Sequence, residues 1–454
     1  MLRDTYGATH STNSAAAVSA FEDAVGRVAS HRPIGTALQT ALSHDDALAA
    51  AHALVGFANV ILARSETVAN APVYLAAAQS GLERCGGGSP SERALVEALE
   101  LCVAGRLRCA AARLDKHLES QPLDFLALKL SHSLRFMSGQ GAEMLSLTRR
   151  TVPAWTPNHA GYGFVLGCHA FGLEEAGYFS AAEVIGRQAY SHEQSDAWGL
   201  HAVSHVMEMS GRTSEGVDWL EAARPNWSQC NNFSFHMSWH LALFLLEQGS
   251  VEAVLDVYDR EIRPASTDDF RDMANATSML WRLELEGVAV GARWHELHEI
   301  ASKRRQDMSY VFGSLHYLLA LVASGDRTGS AELFASLKVR AGSATDDQAG
   351  VAASVGLPLA EIIMTMADGI VCSSDLVHVA VNLPKIGGSH AQRDVFLRTL
   401  LVAARDQSNP AALLEILRIR SSLRSPDRFL HFVDARVHSR IGPTPPAMPA
   451  RWAS

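Results

Sequence analysis

Residues 201–212, HAVSHVMEMSGR, place two histidines four apart and a glutamate three further on. At about 100° per residue on a helix, His201, His205 and Glu208 share one narrow face. Residues 235–249, FHMSWHLALFLLEQG, repeat the four-residue spacing with His236 and His240. Neutral imidazole is the commonest metal nitrogen ligand, and its ordinary pKa of about 6.5 suits proton transfer. Two histidines at i and i+4 can chelate one ion from a single helix face. His201, His205, His236 and His240 are therefore a candidate ligand set for a divalent ion such as zinc, with Glu208 placed to orient or deprotonate a bound water. Without a metal, His205 would be the catalytic base and Glu208 its partner. The same side chains could equally hold a small polar molecule or a peptide with no reaction following. In HxxxHxxE the glutamate follows the second histidine, which departs from the HExxH pattern of zinc peptidases. No cofactor is obligatory on these residues.

Further candidates flank the pairs. Asp196 and Trp198 in SDAWGLH offer a carboxylate and an aromatic wall, and His316 occupies a place equivalent to His240. Arg282 in MLWRLELEG sits among apolar residues and reads either as a buried anion clamp or as a structural ion pair with Glu284 or Glu286. His132 falls at a packing position. His390, Arg393 and Asp394 in GGSHAQRDVF read as a capping or hairpin-locking group. Cys168 and His169 are neighbours, so on a helix they point about 100° apart and make a poor dyad.

Stepping outward, the elements that carry these residues follow one grammar. An apolar-periodic helix ends at a glycine and a second helix begins at once. The glycines are Gly105, Gly139, Gly177, Gly211 and Gly249, spaced by 34, 38, 34 and 38 residues. Glycine permits the tight reversal, and the small residue that usually follows five later lets two helix axes approach. A hairpin of this kind has an apolar face that it cannot bury alone, so hairpins stack. The pattern predicts an all-α fold, a tetratricopeptide-like superhelix of antiparallel hairpins over 1–440, clearest over 90–265. Further turn glycines are expected at Gly325 and Gly369. Residues 441–454, with four prolines, read as a poorly ordered tail. In tetratricopeptide hairpins, which this spacing resembles, the first helix lines the concave groove, with groove-facing positions three, six, ten and thirteen residues before the turn glycine. Glu208, His205 and His201 occupy three of them before Gly211, and His236 one before Gly249, so the two hairpins would aim their imidazoles into one concave groove.

Composition narrows the classes. The chain of 454 residues is 48% hydrophobic and 19% charged, with a formal net charge of −9. No basic tract is present, which argues against nucleic-acid binding. No run of about 18 uncharged apolar residues predicts a membrane span. The six cysteines form no CxxC pair and read as reduced thiols of a cytoplasmic protein. A homo-oligomer is compatible with this composition.

Several stretches go beyond a generic repeat: DFLALKLSHSLRF, PAWTPNHAGYGF, DAWGLHAVSHVMEMSG, WHLALFLLEQGSVEAVLDVYD, SMLWRLELEGVAVGARW and GGSHAQRDVF. Together they resemble the tetratricopeptide repeat protein 38 family from about residue 25 to about 425. His390 stands where that resemblance leads one to expect asparagine. The resemblance implies a helical repeat fold and no particular activity.

Overall fold

The computed structural model describes residues 1–343 and 346–439, with side chains described as far as Val433. The proline-rich segment 441–454 lies outside the described residues. The described chain is all-α apart from a two-residue antiparallel pairing of Leu2–Arg3 with Thr9–His10. The short β-branched piece VHVAVNL falls in the helix Leu376–Asn382 and the 3₁₀ turn after it.

The turn glycines end helices as their backbone freedom requires. Gly105, Gly139, Gly177, Gly211, Gly249, Gly287 and Gly325 all have φ between 64 and 84°. Each is followed by an amide that donates to the carbonyl five residues back: Arg106 to Leu101, Gln140 to Arg135, Tyr178 to Leu173, Arg212 to Met207, Ser250 to Leu245, Val288 to Leu283 and Asp326 to Leu321, at 2.9–3.0 Å. This closure satisfies orphan carbonyls of the last turn. Gly287 extends the pattern beyond the five glycines of the clearest repeats. From Gly249 to Gly287 and from Gly287 to Gly325 the spacing is again 38 residues. Caps at the other ends are equally local, as at Ser89, whose hydroxyl accepts from Glu92 while the Glu92 carboxylate accepts from the Ser89 amide.

Packing follows the pattern. Ala110, Met144, Ala182 and Val254, five past their glycines, are buried, as are Leu114, Leu220 and Tyr258 four later. At the same register Gly216 leaves room for Phe244, whose ring atoms lie 2.3–2.6 Å from where a Cβ would stand. Each buried leucine or phenylalanine contributes about 1.5–3 kcal/mol relative to exposure.

The chain groups into two compact units, one of Met1–Val206 with Ala223–Phe233, the other of Met207–Ala222 with Ser234 onward. The chain passes between the units three times, inside the helix Ala197–Met209, after the helix Thr213–Ala222 and at the first residue of the helix Phe233–Glu247, with no low-complexity linker at any of them. In the first unit Phe21, Phe57, Phe125 and Phe171 centre one core, with Ala17, Ala24, Ala110 and Ala111 letting helices close on it. In the second, the helix Phe270–Leu285 packs against Val311–Ala323 and His390–Asp406, and all of its residues but Arg271 are buried. The segment Asp347–Ala367 is long and apolar enough by composition to cross a membrane, although no such span was expected from sequence. Half of its most apolar window is buried, as in a core helix, and its Glu361 accepts from Ser373 and Ser374.

Candidate functional site

The predicted histidine cluster divides between the units. His201 and His205 belong to the first; Glu208, His236 and His240 belong to the second. Each part is built and described by itself.

In the first unit, Asp196 begins the helix that carries the first histidine pair. Its Oδ2 accepts from the Gly199 amide at 3.1 Å, so this carboxylate is the helix N-cap. Burial raises it to about 7, with Lys129 pulling the other way. The expected ligand role of Asp196 thus meets a residue already engaged with backbone. Gly167 and Gly199 make the close fit possible, since a Cβ on either would stand within 2.4 Å of Asp196 Oδ2. One turn on, His201 and His205 are both buried, with their Nε2 atoms 2.9 Å apart. One ring must donate to the other, or both lone pairs must face a shared cation. On its other edge, His205 Nδ1 lies 3.6 Å from Oε2 of Glu174.

An aromatic wall surrounds this pair. His201 stacks on Phe171 with centroids 5.6 Å apart and meets Trp198 at 5.0 Å and Phe233 at 5.3 Å. Trp198 therefore sits where the sequence put it, beside His201. Its indole N–H donates to His132 Nε2 at 3.1 Å, and the Lys129 ammonium lies 4.9 Å above its ring. Burial lowers His132 to about 3, so the ring is neutral and the Trp198 bond assigns its proton to Nδ1. His132 is a core histidine, as its register predicted. Cys168 is pushed up to about 11 by burial, and His169 pairs with the Thr148 hydroxyl at 2.9 Å, so the two neighbours make no thiolate dyad.

In the second unit, Glu208 Oε2 lies 3.2 Å from His240 Nδ1, and Oε1 lies 3.6 Å from Arg424. His236 contacts Asn275 Oδ1 through Nδ1 at 2.9 Å and stacks on Trp239 at 5.2 Å. Its centroid is 4.8 Å from that of His240. Arg282 lies across the other contact of Trp239, 5.3 Å from the ring centroid, and is 1% exposed. It donates to the carbonyls of Ser278 and Ala391 at 3.2 and 2.7 Å, and its Nε has no hydrogen-bond partner. The ion pair weighed for Arg282 is not made: Glu284 accepts from Trp294, and Glu286 pairs with Arg398 and Arg428. Burial lowers Arg282 to about 9, which Asp394 and Glu208 offset in part, and it remains charged at neutral pH. His316 donates Nδ1–H to the Phe312 carbonyl at 2.8 Å, so Nε2 carries its lone pair. Burial lowers His316 to about 4, and Arg282 pushes it the same way.

Sequence reasoning missed a dense cluster of buried charges. Arg398 meets Asp394, Glu286, Glu247 and Asp427 at 2.8, 2.9, 3.0 and 3.1 Å. Arg420 and Arg424 also close on Asp394 and Asp427. Asp394 is held well below the usual carboxylate range by these arginines against the cost of burial. Arg393 takes a different partner set, the carbonyls of Gly387 and Gly388 and Nδ1 of His390. The expected capping group is thus two separate devices. Glu174 was also missed; its only local signal is a carboxylate inside the apolar run FVLGCHAFGLEE.

No protein-family model matches the chain, and no solved structure matches it significantly. The geometry of the site itself therefore carries the functional argument.

Proposed function

We propose that this chain is a tetratricopeptide-like helical repeat protein, of the protein 38 type, that binds a small polar molecule carrying an anionic group. Arg282 is the observation that carries this reading. A buried guanidinium without a carboxylate within 4 Å among the described residues is costly to keep. Its surroundings suit an oxyanion: Trp239 and His236 on one side, His316 within electrostatic reach on another. A carboxylate or phosphate of the ligand would supply the missing charge, and the imidazoles would hydrogen-bond its remaining polar groups. Six free thiols suit a reducing compartment, and we place the protein in the cytoplasm.

The test is thermal unfolding in the presence of a panel of small carboxylates and phosphate esters. At about a hundredfold excess over Kd, mass action predicts about 2.7 kcal/mol of added stability for a true ligand. The shift should vanish in Arg282→Met. A panel that never moves the transition, or moves it equally in Arg282→Met, would sink the proposal.

The Glu208–His240 contact at 3.2 Å supports a second reading, a hydrolase or lyase. An imidazole oriented by a carboxylate is the arrangement of a general base. On this reading His240 takes the base role foreseen for His205. Turnover of a bound ligand that is lost in both His240→Gln and Glu208→Gln, with binding retained, would select it over simple binding.

A further inference from the structure

Buried carboxylates in the first unit are normally well served. Asp4 accepts from the Ala8 amide at 2.8 Å and pairs with His10 at 2.8 Å. Asp124 accepts from the Ala127 amide at 3.1 Å and pairs with His117 at 2.8 Å. Glu174 breaks this rule. It is fully buried, and neither Oε1 nor Oε2 has a hydrogen-bond partner. The imidazole Nδ1 of His205 stands 3.6 Å from Oε2, beyond hydrogen-bond range. An ionised carboxylate in that state costs several kcal/mol unless something supplies positive charge.

Two more features concentrate negative potential at this point. Glu174 and Glu175 are the last two residues of the helix Tyr162–Glu175, where the helix dipole is negative and repels carboxylates. A carboxylate oxygen of each and one ring nitrogen of His205 lie within 4.8 Å of one another. We propose that Glu174, Glu175 and His205 bind a divalent transition-metal ion, zinc or manganese. The donor set is two carboxylates and one imidazole, which suits those ions better than calcium or magnesium. Binding through Nδ1 leaves the proton of His205 on Nε2, which donates to His201 Nε2 at 2.9 Å. That bond fixes the tautomer and ring orientation as metal-bound imidazoles require. Glu175 also lines an open cleft of about 570 Å³ with Ser146, Arg149 and Tyr178, which gives the ion a way in. The site lies wholly in the first unit and is independent of Arg282.

The full chain, expressed without a polyhistidine tag and stripped with EDTA, is titrated with Zn²⁺ and separately with Mn²⁺ by calorimetry. One ion per chain is expected. Glu174→Gln, which keeps volume and removes charge, should weaken binding more than about tenfold, as should Glu175→Gln at its half-exposed position. Far-UV circular dichroism checks that both variants fold. Arg282→Met should bind metal like the wild type, which separates this result from that of the anion site. Absence of saturable binding of either ion overturns the proposal. So does wild-type affinity in both glutamate variants, or loss of binding confined to His236→Ala and His240→Ala.

Discussion

Arg398→Met should remove the hub of the charge cluster in the second unit. Methionine approximates the volume of the stem but donates nothing. Four carboxylates lose a partner at 2.8–3.1 Å. Asp394 and Asp427 each keep Arg420 and Arg424, Glu286 keeps Arg428, and Glu247 keeps the Arg428 backbone amide at 2.8 Å and, as its remaining side-chain cation, Arg424 at 3.7 Å. Removing one partner of a buried ion pair costs about 3–5 kcal/mol, because the other charge stays buried. For a unit of this size about 2–4 °C follows each kcal/mol, so Tm should fall by about 6–20 °C at pH 7. Acid supplies the second arm. Asp427 is held down to about 2 from the usual 3.8, by arginines that outweigh the burial penalty. A lowered carboxylate gives its stabilisation in full above pH 3.8 and loses it as pH falls through about 2; here that is about 2 kcal/mol. The gap between wild type and Arg398→Met should therefore narrow as melts are repeated from pH 7 towards pH 2. A Tm change under about 2 °C at pH 7, or a gap that persists at low pH, would refute the argument that this cluster holds the unit together.

Other outcomes follow from the same geometry. His132 is held at about 3 by burial, so its contribution is complete above pH 6.5 and declines as pH falls towards 3. Between pH 7 and 5 this removes about 2 kcal/mol, and His132→Leu should flatten the pH dependence of urea unfolding; an unchanged slope contradicts it. Gly216→Ala should destabilise by about 1–3 kcal/mol despite the better helix propensity of alanine, because the Phe244 ring occupies the added methyl's place. A variant melting at or above wild type shows that Phe244 moves aside. In native protein at pH 8, iodoacetamide should label half-buried Cys109 well before Cys168, which burial raises to about 11. Peptide mass spectrometry reads the order directly.

The helical framework was largely legible because its signals are short. A glycine at positive φ, the amide after it and the carbonyl five residues back lie within one turn, and the 34- and 38-residue spacing repeats that unit. Segment AAAVSAFEDAVGRVA coincides with the helix Ala15–Ala29. Where local signals conflict, legibility fades. The helix Ser65–Arg84 runs through Pro72 with few buried positions, and Gly287 sits in LELEGVAVGARW, where a second glycine and valines blur the turn.

The spacing of His201 with His205, and of His236 with His240, placed each pair correctly on one helix face, since helical pitch alone determines it. Partners are another matter. Glu174 reaches His205 across 31 residues, Arg398 reaches Glu247 across 151, and Arg282 passes over Glu284 and Glu286 for backbone carbonyls. Pitch says which residues of one helix share a face, not which charges a neighbouring helix brings to that face. Local hydrogen bonding writes the elements into the chain; burial, and the charge compensation it demands, is decided only when the helices close on one another.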